Sequence, residues 1–220
     1  MKRSPLVIAH RGWSGRYPEN TLAAVRAAVK LGVDMVEVDV QETADGALVV
    51  FHDYGLQRIY GVNKRVRAAR RKELAEAPTL SEVLRACRGR CRVLVEIKGA
   101  RGEAVARAIE QAGMVDDVIV FSLRAARLEE LYRANPRIMR FGLTASEPNT
   151  RVPVAGWGVS RRVIRSAVDV RRWQRRGPLF VWTVNRPTEM TRLMRWGVNG
   201  VITDHPDRAL QLRATLNKLR

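Results

Sequence analysis

Three carboxylates, a lysine, an arginine and two of the three histidines of this 220-residue chain fall where short apolar runs end. Leu6 to Ala9 is apolar and runs into His10-Arg11-Gly12. In Met35 to Val40, Glu37 and Asp39 interrupt valines at 36, 38 and 40. Side chains alternate across a strand, so these two acids face the same way. Two carboxylates on one face of a buried strand repel each other and are poorly solvated; a bound cation makes the pair tolerable. Arg92 to Ile97 repeats the arrangement, with Glu96 and Lys98 on one face and Val93, Val95 and Ile97 on the other. A further run, Ala47 to Phe51, ends at His52. An isolated E-x-D could equally face water, and a lone histidine is more often a satisfied core or surface residue. Their coincidence at neighbouring strand ends is what points to chemistry: a cation site flanked by imidazoles, whose unperturbed pKa of about 6.5 suits proton transfer.

The elements that must position these residues follow from periodicity. Asn20 and Thr21 precede a helix-periodic stretch, Leu22 to Val29, that ends before Gly32. After Met35 to Val40, Asp45-Gly46 signals a hairpin. With the turn centred on that dipeptide, paired positions sum to about 91, which would set His52 opposite Asp39. Beyond an arginine-rich segment, Thr79 to Cys87 reads as a helix and Arg92 to Ile97 as the third strand of the main sheet. Strands at Val118 to Phe121, Met139 to Leu143, Val154 to Val159 (weakened by Gly156 and Gly158), Leu179 to Val184 and Gly200 to Thr203 follow. Helices are expected at Glu103 to Gln111, Ala125 to Arg133, Val168 to Arg175, Thr188 to Arg195 and Arg208 to Asn217. Setting the hairpin return aside, this reads as eight strands, each followed by a helix or helix-like segment. The expected fold is α/β, a closed (β/α)8 TIM barrel with a β-hairpin extension after the second strand, forming one domain over residues 1–220. An open doubly wound sheet is the alternative, because counting units does not prove closure. In such a barrel, chemistry sits at the carboxyl ends of the strands.

Composition sets the outer limits. Hydrophobic residues make up 46% of the chain, enough for a real core. No apolar run is long enough to span a bilayer, and the first strand starts too early to leave room for a signal peptide, so a cytoplasmic protein without a membrane anchor is expected. The net charge is +18, carried by six lysines and 34 arginines against 22 acids. That balance suggests anionic partners. The arginines are spread along most of the chain, however, and the densest stretch, Lys64 to Lys72, lacks the interleaved aromatics on which bases stack. Specific nucleic-acid binding is not expected, and a solvated face is the reading for that stretch. Cys87 and Cys91, four apart with no second pair, are not a zinc signature; a reduced pair is the default reading in the cytosol, with a local disulfide as the alternative in a hyperthermophile.

The motifs resemble those of the glycerophosphodiester phosphodiesterase family, in its short microbial form. The matching segments are His10-Arg11-Gly12, Pro18-Glu19-Asn20-Thr21, Glu37-Val38-Asp39, His52-Asp53, Pro78-Thr79-Leu80, Glu96-Ile97-Lys98, Trp182-Thr183-Val184-Asn185 and Thr203-Asp204-His205-Pro206. Each is weak alone; in this order over almost the whole chain they are specific. The resemblance implies a (β/α)8 barrel that binds one divalent cation and cleaves glycerophosphodiesters, such as deacylated phospholipids, to glycerol phosphate and an alcohol. It implies His10 and His52 as the acid/base pair and Glu37, Asp39 and Glu96 as metal ligands. Arg11 and Lys98 would contact the phosphate, and Glu19 would support the site. Trp182 reads either as a wall for the substrate or as a packing residue. An all-carboxylate ligand set favours Mg²⁺ or Ca²⁺, with Mn²⁺ as a third option, over zinc. Only Tyr54 to Ala77 separates His52-Asp53 from Pro78-Thr79-Leu80, shorter than in members that carry an inserted subdomain, which suggests an open pocket. Two rivals stand beside this reading: a phospholipase or lysophospholipase D using the same barrel, and a non-catalytic barrel that binds anionic polymers.

Overall fold

The computed structural model describes residues 4–148 and 152–218. The chain opens with β1 (Leu6–Ala9) and α1 (Leu22–Leu31), then β2 (Met35–Glu42) and β3 (Leu48–Val50). A short α2 (Gln57–Tyr60) and two 3₁₀ turns (Val66–Ala68 and Arg71–Leu74) lead to α3 (Leu80–Cys87). Next come β4 (Arg92–Ile97), α4 (Gly102–Gln111), β5 (Val118–Ser122), α5 (Ala125–Ala134), β6 (Met139–Thr144) and β7 (Gly156–Ser160). The chain finishes with α6 (Ala167–Gln174), β8 (Leu179–Trp182), α7 (Pro187–Trp196), β9 (Gly200–Thr203) and α8 (Pro206–Lys218). Helix ends carry the expected local chemistry. The Thr21 hydroxyl accepts from the Ala24 amide at the start of α1, and Thr79 and Glu82 form a reciprocal capping box at the start of α3.

Closure is decided by β1. It pairs in parallel with β9, Leu6 against Gly200 through Ala9 against Thr203, and on its other side with β2, Ile8 against Met35. The eight parallel strands therefore form a ring, and the open-sheet alternative falls. The β3 strand lies outside the ring, antiparallel to β2. Alternation along each strand separates two cores. Outward residues such as Val36, Val38, Val93 and Val95 pack against the helices. Inward residues, including Ile8, Met35, Leu94, Phe121, Phe141, Phe180 and Ile202, fill the barrel. The glycines that weaken β7 in the sequence make this filling possible: a Cβ on Gly158 would lie 3.0 Å from both Leu143 and Phe121 side-chain atoms.

Two expectations needed correction. Among the described residues no helix joins β6 to β7, where the sequence reading has every strand followed by a helix or helix-like segment. The hairpin register is also one residue off the sequence expectation. Val40 pairs with Val50 and Glu42 with Leu48, and the Phe51 amide donates to the Asp39 carbonyl. The cause is the turn, which is a three-residue loop, Ala44 to Gly46, closed by Thr43 and Ala47. Gly46 sits in the left-handed region at φ +80°, the conformation that adds a residue to a two-residue turn. Asp39 thus faces Phe51 in register. His52, just past the end of β3, still reaches the barrel mouth.

Candidate active site

The inward face of β2 starts with Met35 inside the barrel and continues with Glu37 and Asp39 toward the mouth. On the neighbouring strand Glu96 lies in register with Asp39, and Lys98 follows one inward position later. The three acids are 1%, 1% and 8% exposed, and an oxygen from each lies within 4.8 Å of the others. Their surroundings differ. Asp39 has Arg11 Nε at 3.1 Å and Lys98 Nζ at 3.6 Å, and Asn20 donates its amide to it at 2.9 Å. Burial alone would raise the Asp39 carboxyl, but Arg11, then Lys98 and His52, outweigh it and hold it below the usual range. Glu96 has Lys98 at 2.7 Å; burial, and then the charge of Asp39, outweigh it and push the carboxyl up to about 7. Glu37 has a backbone partner, the Arg11 N–H at 2.9 Å. Burial, and next the charges on Asp39 and Glu96, raise it well above the ordinary value.

Three buried carboxylates beside two cations leave negative charge uncompensated, and Glu37 carries most of the deficit. The donor set is all oxygen. Both facts fit a hard divalent cation held by Glu37, Asp39 and Glu96.

The loop after β1 brings Arg11 and Asn20 to these acids by an unusual backbone route. Both residues adopt positive φ, +55° and +57°, and the Asn20 amide donates to the Arg11 carbonyl at 3.0 Å. Left-handed non-glycine residues carry strain and persist where surrounding contacts hold them. Here the contacts are with the acids: Arg11 N–H with Glu37, and Asn20 at both ends of its amide with Asp39.

Each histidine is backed by an aspartate. His10 Nδ1 lies 2.6 Å from Asp204 Oδ1. Asp204 also accepts from the Ser14 hydroxyl at 2.9 Å and the Asn185 amide at 2.5 Å. Burial opposes ionisation of Asp204, yet His10, Asn185 and Ser14 together hold it far below the usual carboxylate range. His52 Nδ1 lies 2.6 Å from Asp53 Oδ1. Asp53 is bound in turn by Arg58 Nε at 2.5 Å, Arg58 reaches Glu19 at 2.6 Å, and Glu19 meets Arg11 at 3.1 Å. Burial lowers the His52 imidazole below its ordinary value, Arg11 and Lys98 add to that, and Asp39 and Asp53 oppose it. With Nδ1 occupied on both rings, Nε2 is the nitrogen left to exchange a proton.

Sequence reasoning assigned no role to Asp53 or Asp204. The signal for Asp204 was the one used elsewhere: a charged residue at the end of a barrel strand, here β9.

His10, Arg11, Glu37, His52, Glu96, Lys98 and Trp182 line one cavity of about 100 Å³ at the barrel mouth, over a floor that includes Phe121, Leu143 and Ile202. Trp182 forms part of its wall, and its indole Nε1 is buried without a hydrogen-bond partner among the described residues. Glu19 stands outside this cavity, on a neighbouring hollow of about 490 Å³ that shares His52, and contacts Arg11 and Arg58. A larger hollow of about 840 Å³ between α1 and α3 is lined by Arg26, Lys30, Arg85, Arg88 and Arg90 and contains none of these groups. The smaller cavity is the candidate site because it gathers Glu37, Glu96, both imidazoles and the half-buried Arg11 and Lys98.

A barrel that collects three carboxylates, two imidazoles, an arginine and a lysine at the carboxyl ends of its strands belongs to the class of hydrolases that act on phosphoryl esters. Comparison with known proteins names the group within that class. The chain matches the glycerophosphoryl diester phosphodiesterase family over residues 10–90 and again over residues 178–207. It is 30% identical to the glycerophosphodiester phosphodiesterase of Caldanaerobacter subterraneus subsp. tengcongensis, covering 94% of this chain and 97% of that one. It is 31% identical to the putative glycerophosphodiester phosphodiesterase YhdW of Bacillus subtilis, covering 91% and 95%. Among solved structures, an Oleispira antarctica phosphodiesterase in complex with the product sn-glycerol-3-phosphate superimposes with a TM-score of 0.85 at 23% identity, over 95% of this chain and 96% of that one. The chain belongs to the glycerophosphoryl diester phosphodiesterase family.

Proposed function

We propose that this protein hydrolyses glycerophosphodiesters to glycerol 3-phosphate and an alcohol, using His10 and His52 as the acid/base pair. The observation that carries the reading is a single small cavity lined by both imidazoles, Glu37, Glu96, Arg11 and Lys98, with Asp39 buried within 4.8 Å of the two glutamates. Family membership and the glycerol phosphate seen in the Oleispira relative support the substrate class.

A phosphodiester monoanion repels an attacking oxygen. Arg11 and Lys98 neutralise the phosphoryl charge and favour the transition state, where that charge is greatest. One imidazole removes the proton from the attacking oxygen, and the other delivers a proton to the departing alkoxide. Asp53 and Asp204 fix the orientation and tautomer of their histidines, so that each presents Nε2 to the substrate. Trp182, Phe121 and Leu143 exclude bulk water and seat the apolar side of the glycerol. Glu37, Asp39 and Glu96 would hold a divalent cation, which when bound would supply Lewis acidity. Mg²⁺ or Ca²⁺, with Mn²⁺ as the third choice, suits the oxygen donors.

No helix among the described residues is long and apolar enough to cross a membrane. The reading extends to a cytoplasmic, single-domain enzyme acting on a small-molecule diester. The same acids and histidines speak against a barrel that merely binds anions.

The test is hydrolysis of glycerophosphocholine followed by ³¹P NMR. Glycerol 3-phosphate should appear with a divalent cation, cease in excess chelator and return when the ion is restored. Absence of turnover with each of the three ions, or full turnover in chelator, would overturn the proposal.

A further inference from the structure

The arginine-rich stretch Lys64 to Lys72 has no part in the chemistry above, and Arg58 before it enters only by holding Asp53 and Glu19. Between Tyr54 and Lys72 the chain carries seven cations (Arg58, Lys64, Arg65, Arg67, Arg70, Arg71 and Lys72) and no acidic residue, although 22 acids occur in the whole sequence; acids outside the stretch pair with two of them, Arg58 with Asp53 and Glu19 and Lys64 with Glu73. The same stretch forms one rim of the catalytic mouth. The Tyr54 hydroxyl donates to the Lys98 carbonyl at 3.4 Å. Arg124, from the loop after β5, lies 5.2 Å from the centre of the Tyr54 ring, and its neighbour Leu123 lines the catalytic cavity. Ile59, on α2, lines the adjoining hollow together with His52.

Seven large apolar side chains are exposed among the described residues, and four of them, Tyr54, Ile59, Val62 and Leu123, lie on this rim at 46–50% exposure. Apolar side chains scattered singly over a surface need no explanation. Three on the strongly basic Tyr54-to-Lys72 stretch, with Leu123 on the adjoining loop, call for one.

We infer that the rim built from Tyr54 to Lys72 and the Leu123-Arg124 loop docks reversibly on an anionic lipid bilayer, with the catalytic mouth turned toward it. Cations beside partly inserted apolar side chains are the combination that holds a protein at a charged headgroup layer, by electrostatic attraction plus apolar burial. Charge complementarity selects anionic lipid. The apolar members favour a bilayer over a nucleic acid, whose phosphate backbone offers Ile59 and Val62 nothing to bury against. The placement also suits the chemistry of the substrate, since a glycerophosphodiester is what remains after both acyl chains are hydrolysed from a phospholipid, a reaction that takes place at a bilayer. The attachment is peripheral: it needs no spanning helix and does not amount to a permanent anchor.

Co-sedimentation with vesicles tests the inference without any turnover, so its failure would leave the proposed hydrolysis standing. The protein should bind vesicles of equal phosphatidylglycerol and phosphatidylcholine at least about tenfold more tightly than vesicles of phosphatidylcholine alone. Ile59→Ser combined with Val62→Ser should weaken that binding about tenfold or more while keeping hydrolysis of soluble glycerophosphocholine and the melting temperature. The control Met139→Ser with Val168→Ser, which removes comparable exposed apolar surface elsewhere, should bind as wild type does. Equal binding to both vesicle types would overturn the inference. So would equal loss in both double variants, or wild-type binding by the Ile59/Val62 variant. A DNA duplex bound more tightly than the vesicles would assign the rim to nucleic acid instead, and would overturn it as well.

Discussion

Glu96→Gln should stabilise the metal-free protein while abolishing its activity. The Glu96 carboxyl is almost fully buried and is held at about 7, against an ordinary 4.5, by burial and then by the charge on Asp39. Between those two values the folded protein keeps a proton that the unfolded chain releases. Stability of the metal-free fold therefore falls as pH rises from about 4.5 to about 7, and the full cost is present above that window. At about 1.4 kcal/mol per pKa unit, the shift corresponds to roughly 3 kcal/mol at pH 8 and little at pH 5. A glutamine mimics the protonated form and removes the cost, and Lys98 keeps Asp39 as a partner at 3.6 Å. For a chain of this size, roughly 3 kcal/mol corresponds to a melting temperature about 6–12 °C higher. The assay is thermal unfolding of wild type and variant in excess chelator at pH 5 and pH 8, repeated with saturating divalent cation. The variant should melt higher at pH 8 and nearly level with wild type at pH 5. Added ion should raise wild type and not the variant. A variant less stable than wild type at pH 8 in chelator, or a gain of equal size at both pH values, would refute the reasoning that these acids await a cation.

Three further outcomes follow from the same geometry. His10→Ala and His52→Ala should each lower turnover by about a hundredfold or more with the fold retained, and near-normal turnover of glycerophosphocholine in either would remove that histidine from its role. Asp204→Asn should lower kcat by about tenfold or more with little change in KM and a shifted pH profile, because the carboxylate acts by holding the His10 ring; a change in KM alone would instead mark a substrate contact. Asn20→Ala, measured by titration calorimetry, should weaken divalent-cation binding by about tenfold or more, since it removes the amide that orients Asp39; unchanged affinity would show that Arg11 and Lys98 suffice.

Much of this site was legible because strands impose a strict two-residue period. Glu37 with Asp39, and Glu96 with Lys98, had to share faces, and the alternating valines showed which face was buried. Closure of the ring was inferred from the count of βα units and is carried by the pairing of β1 with both β9 and β2. What the sequence concealed depends on backbone geometry or on long-range pairing. The left-handed conformation of Gly46 lengthens the hairpin turn by one residue and moves Phe51, not His52, opposite Asp39. Positive φ at Arg11 has no compositional signal, and Asn20, a type that tolerates the left-handed region, gives only a weak one, yet together they bring the loop after β1 onto Glu37 and Asp39. Asp204 lies 194 residues from His10, so no local pattern could join them. Gly156 and Gly158 looked like a defect in β7 until the rings of Phe121 and Phe141 filled the space they leave.

The most direct measurement is a crystal structure of the protein soaked with Mn²⁺ and glycerol 3-phosphate, the ion located by its anomalous scattering. The account expects one peak in contact with oxygens of Glu37, Asp39 and Glu96, and a phosphate against Arg11 and Lys98 lying between His10 Nε2 and His52 Nε2. An ion held by other residues, or a phosphate out of reach of both imidazoles, would contradict it.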